Sequence, residues 1–272
     1  MMQLKINDIQ NIIEKYAPPR LKESYDNVGL MVGDMECEVT SILVSLDCTL
    51  KVIEEAQQNK CNLIFTHHPL LFKRPDSITV GSLLGKKIMM LIENHINVYS
   101  CHTNLDSAQG GINDIIMEML GFDSSDVIEP VKVDGRLEYR DGIGRISRLR
   151  EPIILSELCN KVKRCLEIPS VRYVGNEFKL IEKIAVINGS GQSYFNEVRL
   201  QGVDCIITGD TTYHYVSDFE EQGIAVIDAG HFGTEWPAMK KVAVFLQTKI
   251  KSLGFENNVI LSKVNRDPYK CK

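Results

Sequence analysis

The sequence predicts an α/β protein built from two related three-layer halves with mostly parallel sheets. Three observations predict it. Apolar runs of strand length alternate with amphipathic stretches of helical spacing. The alternation occurs twice along the chain, in the same order of element types. Finally, the runs end in clusters of histidine, acid and glycine, and open parallel sheets build ligand sites at the C-terminal ends of their strands.

Ile9, Ile12, Ile13 and Tyr16 stand at helical spacing, which predicts a helix over residues 6–16, stopped by Pro18-Pro19. Residues 24–33 read as a turn and a short strand, with Asp26-Asn27 and Gly29 as turn-formers. Residues 41–46 (SILVSL) read as a buried strand, 50–60 as a helix and 61–65 as the next strand. That strand runs into Thr66-His67-His68-Pro69. Proline has no N–H and biases the residue before it away from the helical region, so the strand should turn into a loop and let both imidazoles converge on one object. A helix over 85–94 comes next, then a strand over 96–101 ending in His102-Thr103-Asn104-Leu105-Asp106. A helix over 112–120 is closed by Gly121.

From about 131 to 182 the pattern changes. Gly135, Gly142 and Gly144 punctuate short strands, 155–166 reads as a helix and 171–174 as a short strand. The first pattern then returns. A strand over 184–187 ends in Asn188-Gly189-Ser190-Gly191 and a helix spans 193–201. A strand over 204–207 ends in Thr208-Gly209-Asp210, and a helix lies near 217–222. A strand over 224–229 ends in Gly230-His231-Phe232-Gly233-Thr234-Glu235. A helix over 242–250 and a strand over 258–262 complete the chain. The expected division is residues 1–126, with the His-His and His-x-x-x-Asp motifs, and 127–272, with the Thr-Gly-Asp and Gly-His-x-x-x-Glu motifs. Residues 236–272 are free to pack back on the first half.

Composition is that of an ordinary globular protein. The formal net charge of −5 argues against a nucleic-acid or anionic-membrane surface as the main business. No apolar run is long enough to span a membrane, and the N-terminus does not read as a signal peptide. Eight cysteines without a C-x-x-C read as reduced thiols of a cytoplasmic protein. Cys101, beside His102, reads as strand packing.

The strand ends collect His67, His68, His102, Asp106, Asp210, His214, His231 and Glu235, which include five of the six histidines. His102-x-x-x-Asp106 and His231-x-x-x-Glu235 share one spacing, which brings both side chains to one face of a helix. Imidazoles with carboxylates suit a borderline divalent cation such as zinc, manganese, iron or nickel. Two carboxylates and three or more histidines exceed what one catalytic ion takes from protein. Two ions sharing a bridging carboxylate are therefore the natural reading, and such a pair can generate a hydroxide at neutral pH. His67, His68, Asp106, His231 and Glu235 are the expected ligands. His102 and His214 are the expected proton-transfer residues, with a ligand role for His102 left open. Asp210 reads as a turn-former. The Asn188-Gly189-Ser190-Gly191 turn could receive a phosphate, and tight strand–helix packing explains it equally well.

These motifs, in this order, resemble the GTP cyclohydrolase I type 2 homologues, also called NGG-one-interacting-factor-three-like proteins. The resemblance covers nearly the whole chain and is carried above all by Thr66-His67-His68-Pro69-Leu70 and Gly230-His231-x-x-x-Glu235. It implies a di-metal site in the cleft between two halves. His68 and Asp106 would hold one cation, His67 and His231 the other, and Glu235 would bridge. It also implies a toroidal homohexamer, and a reaction in which a metal-bound hydroxide opens the GTP imidazole ring, or attacks a similar small substrate, with loss of formate. The alternative is a metal-binding or metal-delivery protein, or an interaction scaffold, without turnover. Asn188 departs from the family, many of whose members carry glycine there, and this bears on any phosphate contact. The segment over 122–131 leaves no room for the extra domain some members insert.

Overall fold

A computed structural model describes residues 3–123, 126–133 and 135–270. It divides into two units, Met1–Leu105 with Met239–Lys272, and Asp106–Ala238. The elements of the first unit are α1 (Ile6–Tyr16), β1 (Gly29–Val32), β2 (Ser41–Ser45), α2 (Leu50–Gln58), β3 (Leu63–Thr66), α3 (Leu83–Glu93) and β4 (Asn97–Ser100). α4 (Thr103–Ser107) straddles the boundary. The second unit continues with α5 (Ile112–Leu120), β5 (Asp126–Val133), β6 (Arg136–Ile154), α6 (Leu155–Cys165), β7 (Arg172–Val174) and β8 (Leu180–Ser190). It ends with α7 (Phe195–Leu200), β9 (Cys205–Gly209), α8 (Tyr213–Glu221) and β10 (Ala225–Asp228). α9 (His231–Ser252) begins in the second unit and ends in the first, and β11 (Asn258–Leu261) belongs to the first. The boundary thus falls before α5, whereas 126/127 was expected from the sequence. α5 packs on β6 and β8, and that burial places it in the second unit.

The first sheet has the order β1-β4-β3-β2-β11, with β1 antiparallel to β4 and the other pairings parallel. α2 and α3 start where the sequence supplies a cap. Thr49 accepts from the Val52 amide and Ser82 from the Gly85 amide. Leu43, Ile64 and Val98 lie on one face against Val52, Ile53 and Leu91 of α2 and α3. Their alternating neighbours Ile42, Val44, Leu63 and Phe65 are fully buried too. Side chains alternate along a strand, so the sheet is covered on both faces. Ser45, Thr66 and Ser100 stand opposite one another at the ends of β2, β3 and β4. The loops leaving these three strands therefore emerge at one level.

The second sheet has the order β5-β6-β8-β9-β10-β7. Only β8–β9 and β9–β10 are parallel, so this sheet is mixed where the sequence suggested a mostly parallel one. The short strands expected around Gly142 and Gly144 are one 19-residue strand, β6. The glycines sit inside it, and the β5–β6 register shifts between Pro130 and Val131. Glycine there bends a strand at a bulge and does not end it. β5 is an edge strand. The parallel core packs Ala185, Ile187, Ile206 and Val226 against Phe195 of α7 and Phe219 of α8.

α9 starts eleven residues earlier than the helix expected over 242–250 and contains Pro237. Proline inside a helix forfeits one backbone hydrogen bond, which masked the early start in the sequence. Among the described residues no helix is long and apolar enough to cross a membrane. The seven described cysteines are all free, and Cys271 lies outside the described residues.

Candidate metal centre

In the first unit the level ends of β3 and β4 bring His67, His68 and His102 together. Beyond β3 the pairing with β2 continues, the His67 amide donating to the Ser45 carbonyl at 3.3 Å and the His68 amide to Leu46 at 2.9 Å. The ring centroids lie 5.2 Å apart for His67–His68, 5.2 Å for His67–His102 and 5.6 Å for His68–His102. Each ring offers a nitrogen within 4.8 Å of the others, a group that could hold a metal ion. His67 is fully buried.

Each ring is held by Nδ1. His67 Nδ1 donates to the Cys101 carbonyl at 3.0 Å, His68 Nδ1 to Asp47 Oδ1 at 3.0 Å and His102 Nδ1 to Asp26 Oδ1 at 2.9 Å. Carbonyl and carboxylate oxygens only accept, so Nδ1 carries the proton in all three rings and Nε2 is the ligating or basic atom. The 101–104 turn is fixed by Asn104. Its Oδ1 accepts from the His102 amide at 3.0 Å and its Nδ2 donates to the Ala17 carbonyl at 2.7 Å.

Asp26, expected only as a turn-former, is the principal residue sequence reasoning missed in this unit. Its Oδ2 accepts from the Thr103 amide at 3.1 Å and the Thr103 hydroxyl at 2.5 Å. Burial alone would push this carboxyl up. The hydrogen bond and charge of His102, with the two Thr103 donors, outweigh burial and hold it well below the usual carboxylate range.

In the second unit Asp106 and Glu235 are both buried and share one donor. Asn188 Nδ2 donates to Asp106 Oδ1 at 2.9 Å and to Glu235 Oε1 at 3.2 Å. His231 opens α9, one helical turn before Glu235, and its Nε2 lies 3.2 Å from Glu235 Oε2. Its Nδ1 donates to Asp210 Oδ2 at 2.7 Å, the same anchoring seen in the three other rings. Asp210 does form the expected turn, with φ +48°, and gains this second role. Gly189 lies so close that a Cβ there would stand 2.4 Å from Glu235 Oε1. Asn188, Gly189 and Ser190 are the last residues of β8, and Gly189 packs against the helix carrying Glu235, in line with the packing alternative. His214, on the first turn of α8, is exposed and contacts the Tyr213 ring at 5.4 Å. Among the described residues it joins no group of side chains close enough to hold a metal ion. Nothing in the sequence marks Asp47 as a partner of His68. For Asn188 the signal was its place at a strand end, where glycine would have sufficed for a tight turn.

The donor set fits a borderline divalent cation. Histidine ligands almost always give their other ring N–H to a carboxylate or backbone carbonyl, which fixes the tautomer and raises ligand basicity. His67, His68, His102 and His231 all do so.

The family model described as Duf34/NIF3 (NGG1p interacting factor 3) matches residues 4–268. A Clostridium acetobutylicum protein named GTP cyclohydrolase 1 type 2 homolog is 53% identical over 271 residues, covering 100% of both chains. A Clostridium perfringens protein of the same name is 47% identical, covering 98% of this chain and 99% of that one. Among solved structures, a Staphylococcus aureus hypothetical protein superposes with a TM-score of 0.91 at 29% identity, with 100% of both chains covered. The two-sheet α/β architecture and the full-length match lead to one conclusion: the chain is a member of the Duf34/NIF3 (NGG1p interacting factor 3) family.

Proposed function

We propose that the chain holds two divalent cations and hydrolyses a small substrate, with GTP, through its imidazole ring, as the first candidate. The observation that carries the reading is the anchoring of Nδ1 in His67, His68, His102 and His231, which leaves four Nε2 atoms of fixed orientation. In this reading His68 and Asp106 hold one cation, His67 and His231 the other, and Glu235 serves both. When bound, the pair supplies Lewis acidity and lowers the pKa of water. The relatives' name, GTP cyclohydrolase 1 type 2 homolog, supports GTP as the first substrate to try.

His102 is the proposed proton carrier. Asp26 holds its Nδ1, so Nε2 is the atom that takes a proton and returns it. His214 is the second proposed carrier, and its exposed position lets it reach bulk water. A toroidal homohexamer in the cytoplasm completes the proposal. Free thiols agree with a reducing compartment, and light scattering on the eluting protein measures the assembly.

The test is elemental analysis of untagged protein prepared without chelator, alongside Glu235→Ala. About two ions per chain are expected, falling to one or none in the variant, with formate released from GTP. His102→Ala should keep its metal and lose turnover roughly 100-fold or more. Loss of a whole metal equivalent in that variant would make His102 a ligand. Full occupancy without turnover of GTP or other small substrates would favour metal delivery. One ion or none, unchanged in Glu235→Ala, would favour a scaffold.

A further inference from the structure

We infer that Asn188 is a positioning residue that dictates which carboxylate oxygen Asp106 and Glu235 each present to a divalent cation. The inference rests on the metal reading above. Asn188 is only 7% exposed, yet every polar atom of its side chain is engaged. Its Nδ2 donates to Asp106 Oδ1 at 2.9 Å and Glu235 Oε1 at 3.2 Å.

The orientation of this amide is fixed from behind. Asn188 Oδ1 accepts from Asn113 Nδ2 at 2.8 Å, and the Asn188 amide donates to Asn113 Oδ1 at 3.0 Å. Asn113 Nδ2 also donates to the Asp106 carbonyl at 3.1 Å. Turning the Asn188 side chain over would set its NH2 against the Asn113 NH2 and its carbonyl oxygen against two carboxylates. Turning Asn113 over would create matching donor–donor and acceptor–acceptor clashes. The two asparagines therefore admit one arrangement.

Two oxygens are thereby assigned to the protein. Asp106 Oδ1 and Glu235 Oε1 face the Asn188 amide, and Gly189 closes further against Oε1. Glu235 Oε2 is the oxygen on the His231 side. The oxygens that the amide does not bind are Oδ2 of Asp106 and Oε2 of Glu235, and in the metal reading these are the ones a cation would meet first. A neutral amide suits this duty, because it restrains both carboxylates without competing with a cation for their charge.

Cobalt(II) is the probe, since its d–d absorption reports coordination number and its uptake can be measured against a competing chelator. Metal-free wild type, Asn188→Leu and Asn113→Ala are titrated, with circular dichroism to confirm the fold. The expected result is roughly 10- to 100-fold weaker cobalt binding in Asn188→Leu. Its d–d absorption should also weaken, as the released carboxylates bind through both oxygens and raise the coordination number. Asn113→Ala should move both readouts in the same direction and by less. If Asn188→Leu fails to fold, Asn113→Ala decides. Wild-type affinity and spectrum in the folded variants would overturn the role of Asn188 while leaving the metal reading standing. A wild type that takes up no cobalt would overturn the metal reading itself, and this inference with it.

Discussion

A carboxylate buried as Asp26 is stays ionised only where its partners outweigh the cost of burial. Its folded carboxyl titrates below its unfolded value, so the unfolded chain takes up the proton first as pH falls. The stability Asp26 contributes is present above the ordinary carboxylate range and is lost in acid. Urea unfolding of chelator-treated protein should show it, the midpoint falling between about pH 5 and 3 in the wild type and less steeply in Asp26→Asn. That variant should keep its metal and lose turnover, because His102 would lose the partner that sets its tautomer. Arg145 is the other charge to note. Its guanidinium, 3% exposed, makes two 2.8 Å contacts to Asp114 and donates to the carbonyls of Gly142, Gly144 and Ala108. Ala108 lies two residues beyond Asp106, so Arg145 also secures the segment that carries that carboxylate. Arg145→Ala should cost about 3 kcal/mol in denaturant unfolding, since it strands a partly buried carboxylate and several carbonyls.

The element most exposed to a single methyl group is the C-terminal end of β8. Gly189 has φ +56°, and a Cβ there would meet Glu235 Oε1. Gly189→Ala should therefore cost about 1–2 kcal/mol in backbone strain and displace Glu235. Thermal unfolding and metal content read the two effects separately. Strands β2, β3 and β4 and helices α1, α2, α3 and α5 were legible in the sequence because apolar periodicity and caps agree there. The start of α9 was not, because Pro237 contradicts local propensity and only tertiary packing retains it. The length of β6 was not, because glycine marks a bulge and a strand end alike. At the site, the histidines and acids could be singled out because their types and spacing are unusual for strand ends. The residues that hold them could not. Asp26 reaches His102 across 76 positions and Asn188 reaches Asp106 across 82, contacts set by sheet register and not by any local pattern.

At the scale of the whole molecule, burial governs the thiols. It pushes Cys48 up to about 12 and Cys61 and Cys159 up to about 11, and it raises Cys205 as well. Native protein treated with iodoacetamide at pH 8 should leave these four unmodified by peptide mapping, while the half-buried Cys37 and Cys165 react. Above about pH 9 the unfolded thiols ionise while the buried ones stay protonated, so stability should decline with rising pH. The register shift beside Pro130 has a consequence of another kind. β5 is the outer strand of its sheet and would offer a row of backbone donors and acceptors to any passing chain. Pro130 removes one donor, and the register shift beside it twists the row away from a straight partner. The feature that breaks the regularity of this sheet is thus also what discourages it from growing into aggregates, and Pro130→Val should scatter light on mild heating where the natural sequence stays clear.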